Sequence, residues 1–226
     1  MDGAWLALSL SLKVALWATA INLVLGVGTG FALARLRFPG RDVLDSLFTL
    51  PMVMPPTVLG YYLLVMLGRR SWLGAHLSDW FGISLIFTWQ GAVVAAAVVA
   101  FPLVFKPARA AFEAVDGQFE QAARVLGVSE LAIFFRISLP LAWRGILAGL
   151  LLAFARALGE FGATLMVAGS IPGKTQTLSI AVYEAVQAGQ DDVANALMLV
   201  TSTVCVLVLL IAGHLAPGRV QGRQER

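Results

Sequence analysis

"LIFTWQGAVVAAAVVAFPLVF", residues 85 to 105, is a run of 21 residues without one Asp, Glu, Lys or Arg. A helix rises about 1.5 Å per residue, so a run of this length reaches across a hydrocarbon layer of about 30 Å. The composition of the whole chain agrees with that reading. Of its 226 residues 59% are hydrophobic and 13% are charged, and the mean hydropathy is +0.83. A soluble protein carries about twice that share of charge. The solvent is lipid, and only a helix or a closed barrel satisfies the backbone there.

Several function classes drop out at this stage. The net charge of +3 and pI near 9.4 come from basic residues that flank apolar runs, not from a basic stripe with interleaved aromatics, so nucleic acid is not the partner. The lone cysteine, Cys205, allows no internal disulfide, and His76 and His214 are too far apart to suggest a metal site. No H-E-x-x-H or G-x-S-x-G run supports a membrane-embedded enzyme, and no G-x-x-x-x-G-K-[ST] loop could hold ATP. No positive charge precedes Lys13, and the first apolar stretch is too long for a signal core, so it is expected to remain as a span.

Working outward from residues 85–105, four further segments meet the length test: Val14 to Ala34, Val43 to Leu67, Ile146 to Val167 and Val193 to His214. Residues 1–13, with "WLALSLSLK", read as an interfacial segment on the outer side, 14–214 as the transmembrane domain and 215–226 as a cytoplasmic tail. Five spans put the termini on opposite sides. With the N-terminus outside, Arg35, Arg37, Arg41, Lys106, Arg109, Arg124, Arg136, Arg144, Arg219, Arg223 and Arg226 lie inside, 11 against the 3 outside, Arg69, Arg70 and Lys174. The positive-inside rule therefore gives N-out and C-in. The expectation is an all-α, multi-pass membrane protein, with its largest polar loop, from Lys106 to Gly145, in the cytoplasm.

That loop has helical organisation. Asp116 is placed as an N-cap, Phe119, Ala122, Ala123 and Leu126 follow the spacing of one helix face, and Gly127 is placed as a stop. A second helix is expected from Ser129 through Ile137, ending before Pro140. Small residues at the centre of the first helix would let its backbone sit deep in a partner's groove. Glu120 and Arg124, four apart, equally read as a solvated surface pair.

Gln121-Ala122-Ala123, then Gly127, then Ile137-Ser138-Leu139-Pro140 resembles the E-A-A-x3-G-x9-I-x-L-P loop of the permease subunits of bacterial ABC importers, the binding-protein-dependent inner-membrane components. Glutamine stands where that pattern has glutamate, and Glu120 sits one residue earlier, about 100° around the helix. "DSLFTLPMVMPPTVLGYYLL", "DWFGISLIFTWQGAVVAAAVVAFPL" and "ARALGEFGATLMVAGSIPGKTQT" look like the molybdate branch. Sulfate permeases share the "GEFGA" region but usually carry a sixth span, so sulfate, thiosulfate and tungstate are the alternatives. The resemblance implies a type I ABC importer fold, a five-span bundle paired as a homodimer. It also implies two cytoplasmic ATPase subunits that bind the ATP and Mg this chain lacks, and a periplasmic molybdate-binding protein. Glu120, Gln121, Ala122, Ala123, Gly127, Ile137, Leu139 and Pro140 would form the ATPase-docking element, the coupling helix.

Two features are candidates for the ion's route. Pro51, Pro55 and Pro56, with Met52, Met54 and Thr57 among them, should bend or break span two, either as a packed kink or as a gate. In span four, Arg156 and Glu160, four residues apart with Thr164 beyond, can pair within the membrane, either to hold helices in register or to tune an anion route. On the outer side, "SIPGKTQTLSIAVYEAVQAGQDD" suggests a helix against the bundle, as a plain loop or as a surface for the binding protein.

Overall fold

The computed structural model describes residues 2–82 and 84–215, which form eleven α-helices and one π-turn and, among the described residues, no strand. The expected tail with Arg219, Arg223 and Arg226 lies outside the described residues.

The run that opened the sequence reading lies mostly within α5 (Trp89–Glu113), the axis of the bundle. Of its most apolar stretch 67% is buried by the rest of the chain, against 11% for α11 (Asp191–Leu215) at the periphery. The inward positions of α5 are small: Ala92, Ala95, Ala96, Ala100 and Ala108 are at most 1% exposed. Lipid gives helices no hydrophobic drive to associate, so close backbone approach and interhelical hydrogen bonds must hold them. Both are present. α1 (Asp2–Arg35) and α8 (Leu139–Leu158) pack on the alanine faces, and Asn22 of α1, 1% exposed, donates from Nδ2 to the Ala97 carbonyl at 3.0 Å.

α1 differs from the expectation of a separate interfacial segment ending at Lys13. It is one helix of 34 residues, about 51 Å long, so it passes beyond the hydrocarbon layer without a break. Its first turns are held by tertiary contacts that hydropathy cannot register. Ala7 packs with Leu178 and Ala185 of α10 (Leu178–Gln187), and Ser11 Oγ accepts from the Leu178 N–H at 2.7 Å. Lys13 lies 3.6 Å over the Trp89 ring, a cation–π contact at the end of the bundle where α5 begins.

Span two is broken. α2 (Arg41–Val53) and α3 (Pro56–Leu67) turn by 113° at Met54-Pro55. Met54 is extended, as the residue before a proline prefers, while Pro55 and Pro56 occupy the N-cap and first position of α3, where a missing N–H costs nothing. Pro51 is accommodated inside α2. Among the described residues four helices are long and apolar enough to cross a membrane, and α2 with α3, counted as one broken crossing, would make a fifth.

Span four also departs from the continuous helix expected over 146–167. α8 ends at Gly159, residues Glu160 and Phe161 leave the helix, and α9 (Gly162–Ala168) resumes it. The polar loop between spans three and four is shorter than hydropathy suggests, because α5 carries Lys106 and Arg109 in its own last turns. The helix expected to stop before Pro140 does not stop. α7 (Glu130–Ile133) runs through a π-turn, Phe134–Ser138, straight into α8. Proline cannot donate to the carbonyl four residues back, and its ring crowds that carbonyl; widening the turn, with Leu139 N–H bonded to Phe134 O, removes the conflict.

Candidate functional site

The element expected to dock forms as the sequence suggests. In α6 (Gly117–Val125) Asp116 Oδ1 accepts from Gln118 N–H at 2.9 Å, capping the helix. Gly127, at φ +76°, ends it: its N–H bonds Arg124 O at 3.0 Å and Val128 N–H bonds Ala123 O at 3.1 Å, the paired closure that favours glycine. α6 then divides into two faces. Phe119 (57% exposed), Val125 (88%) and Leu126 (81%), with Gln121, Ala122 and Arg124, face outward, continued by Leu131 and Phe135. Glu120 and Ala123 turn inward.

Inward placement corrects two expectations. Ala123 is packed against the chain and offers a partner little surface. Glu120, 3% exposed, is not half of a solvated pair: Arg124 Nη2 stands 3.9 Å away and pairs instead with Glu130 at 2.6 Å. That hydrogen bond raises the Arg124 pKa above its ordinary value. Glu120 Oε1 accepts from Arg35 Nε at 3.0 Å, Arg35 Nη2 at 2.7 Å and Ser138 Oγ at 2.7 Å. Ile137 and Leu139 are half-buried in and beside the π-turn, and Pro140 is exposed.

The same end of the bundle holds a chain of charges. Arg41 Nη2 lies 2.6 Å from Glu113 Oε1, Arg109 Nε lies 2.9 Å from that oxygen, and Arg109 and Lys106 both pair with Asp45. Every ion pair among the described residues other than Arg156–Glu160 is at this end. Asp45, Arg35 and Ser138 are the residues that sequence reasoning missed. The available signal was Asp45 itself, a carboxylate inside an apolar segment, which demands a partner.

The two interruptions meet. A Cβ on Gly162 would come within 3.1 Å of Pro56 Cβ, so the start of α9 abuts the start of α3. Arg156 Nη1 lies 2.7 Å from Glu160 Oε2, while Glu160 Oε1 accepts from the Ala163 N–H at 2.8 Å. Glu160 is 2% exposed and Thr164 1%, its hydroxyl buried without a partner; the Arg156 side chain is 36% exposed. On the other side of the seam Met52, Pro55, Pro56 and Thr57 are exposed, and Pro51 and Met54 half-buried. Non-helical backbone, a half-exposed arginine paired through one of its nitrogens and the buried Thr164 hydroxyl lie close together at this seam. Among the described residues no cluster of His, Cys, Asp and Glu could hold a metal. A groove of about 1030 Å³ lies elsewhere, between the start of α1, α10 and α11, lined by Trp5, Leu8, Ala185 and Leu197 with Glu184 and Asp192.

A family model, the binding-protein-dependent transport system inner membrane component, matches residues 23–221. The chain belongs to that family. Among inner membrane components of this kind, the molybdenum transport system permease protein ModB of Escherichia coli is 47% identical over 95% of this chain and 94% of its own. ModB of Haemophilus influenzae is 42% identical over 95% and 94%. The sulfate transport system permease protein CysW of Synechocystis sp. is 36% identical over 91% of this chain and 74% of its own. Solved inner membrane components share the fold. An inward-facing MetNI methionine ABC transporter superposes with a TM-score of 0.69 at 17% identity, covering 95% of this chain and 93% of the other. A bacterial alginate ABC transporter gives 0.72 at 16%, covering 93% and 77%.

Proposed function

We propose that the chain is the permease subunit of an ATP-driven importer that carries molybdate across a bacterial inner membrane. The observation that carries this reading is the end-to-end similarity to molybdenum permeases, 47% identical to that of Escherichia coli against 36% for a sulfate permease. In the proposed arrangement two copies pair around the ion's route, N-out and C-in, and two ATPase subunits attach from the cytoplasm. A periplasmic binding protein delivers the ion at the end where α4 (Trp72–Phe81) and α10 lie.

The geometry supplies a physical part for each step. The apolar ridge of α6, Phe119, Ala122, Val125 and Leu126, is the surface the ATPase grips. An exposed apolar ridge on a chain that otherwise shows apolar surface to lipid needs a protein partner to cover it. The seam between the two breaks is the gate region: short helices joined by non-helical residues can tilt independently where one long helix cannot. Arg156, with donors to spare, meets the anion's charge there, and pairing to Glu160 keeps it from holding the ion too tightly. Sulfate is the runner-up substrate, because its permeases match most of the chain and no set of side chains in the seam measures ion radius.

Reconstitution in vesicles with a molybdate-type ATPase and a molybdate-binding protein tests the proposal. Uptake of molybdate that requires ATP, and that excess sulfate does not displace, is expected. ATP-driven uptake of sulfate in place of molybdate would overturn the substrate, and failure to assemble with any ABC ATPase would overturn the function.

A further inference from the structure

We propose that Glu120 is a positioning residue that locks the gripped helix to two spans at once, so that α6, the end of α1 and the base of α8 move as one body. The inference rests on the importer reading above and assigns it a transmission part.

Three hydrogens converge on one oxygen. Arg35, in the last turn of α1, donates twice to Glu120 Oε1, and Ser138, the last residue of the π-turn, donates to the same atom. Glu120 is 3% exposed and Ser138 0%, so the carboxylate has little water to turn to if these bonds are lost. The donors come from elements 85 and 18 residues away, and the carboxylate belongs to the inner face of the helix whose outer face is the apolar ridge. Any rotation of α6 about its own axis would break three hydrogen bonds to a charged group together, and charged hydrogen bonds are the costly ones to leave unmade. A push on Phe119, Val125 or Leu126 therefore moves the ends of α1 and α8 before it rolls α6. The π-turn is part of the device. It sets the register of Ser138 relative to α8, so the hydroxyl reaches Oε1 from inside a helix that leads directly to Arg156 and the breaks.

Among the described residues the other contacts of α6 are weaker. Ala123 supplies its other buried contact, and the Arg124–Glu130 pair, exposed on both sides, belongs to the class of surface ion pairs worth little.

The test uses the whole reconstituted complex, with wild type run beside Glu120→Gln, Ser138→Ala, Ser138→Thr and the double change Arg35→Gln/Glu120→Gln. Wild-type uptake establishes the importer reading independently of this inference; if wild type transports nothing, that reading fails first. If wild type transports, Glu120→Gln is expected to co-purify with the ATPase yet hydrolyse at least about tenfold more ATP per ion carried. Ser138→Ala is expected to shift the same ratio in the same direction, and Ser138→Thr, which keeps the hydroxyl, to restore it. The double change removes an unpaired buried charge, so it is expected to recover protein yield without recovering the ratio. An unchanged ratio in Glu120→Gln overturns the inference. So does recovery of the ratio along with the yield in the double variant, because that marks Glu120 as a fold-stabilising residue only.

Discussion

Glu160 serves two helix ends. Its Oε1 takes an N–H at the start of α9 while Oε2 stands beside Arg156 in the last turn of α8, where a cation also meets the negative end of the helix dipole. The two members are unequally buried, and that decides which loss is worse. Arg156→Gln strands a carboxylate that is 2% exposed, whereas Glu160→Gln leaves an arginine that is 36% exposed and keeps an amide oxygen for Ala163. Arg156→Gln is expected to lower stability by roughly 2 kcal/mol, less than breaking a fully buried pair, and Glu160→Gln by less than half of that. The double change should recover most of the first loss. Thermal melting of the purified variants in detergent measures all three, and a double-variant loss equal to the sum of the two single losses would show that the pair is not coupled. This pair was legible from its spacing of four, although Glu160 lies just beyond the end of α8. The Glu120 node was not: periodicity located α6 but could not tell which of its faces turns inward, and Arg35 is 85 residues away.

Among elements, the apolar runs were legible and their interruptions only partly so. Hydropathy ended span three near Lys106 because it scores a lysine or arginine as if it stood in lipid alone. Asp45 pairs with Lys106 and Arg109, Glu113 supplies a second carboxylate to Arg109, and α5 continues to Glu113. The proline run announced the break in span two, but a proline reading alone put a helix end at Pro140 where the chain widens into a π-turn instead. Replacing Pro140 by Ala restores the missing N–H and removes the ring, so the turn can close to ordinary α geometry and swing Ser138 away from Glu120. A higher melting temperature with a lower substrate-stimulated ATPase rate is expected; an unchanged rate would show that register is not what the π-turn provides. The α3–α9 seam is equally specific. A Cβ on Gly60 would stand 2.8 Å from both Ala163 Cα and Met166 Cβ, closer than atoms can sit. Gly60→Ala should cost about 1–3 kcal/mol through overpacking and slow transport while leaving membrane insertion intact, measured by melting and vesicle uptake.

For the molecule as a whole, the decisive quantity is which side of the membrane α6 faces. Charge and geometry point the same way. Five of the eight described basic residues that the positive-inside rule assigns to the cytoplasm, Arg35, Arg41, Lys106, Arg109 and Arg124, gather at one end of the bundle, each held by a carboxylate of that end; Arg37, Arg136 and Arg144 carry no ion pair among the described residues. Cys205 is the one native thiol, so a Cys205→Ser background is blank to maleimide reagents. In that background Val125→Cys, on a ridge residue 88% exposed, should react with a membrane-impermeant maleimide in inverted vesicles and not in intact spheroplasts. Lys174→Cys, exposed in the loop before α10, should show the opposite pattern. Binding of the ATPase should then block the label at Val125 and leave Lys174 untouched. Labelling of Val125→Cys from outside would place the ridge where no ATP exists, and the grip that drives the proposed cycle would have nothing to pull on.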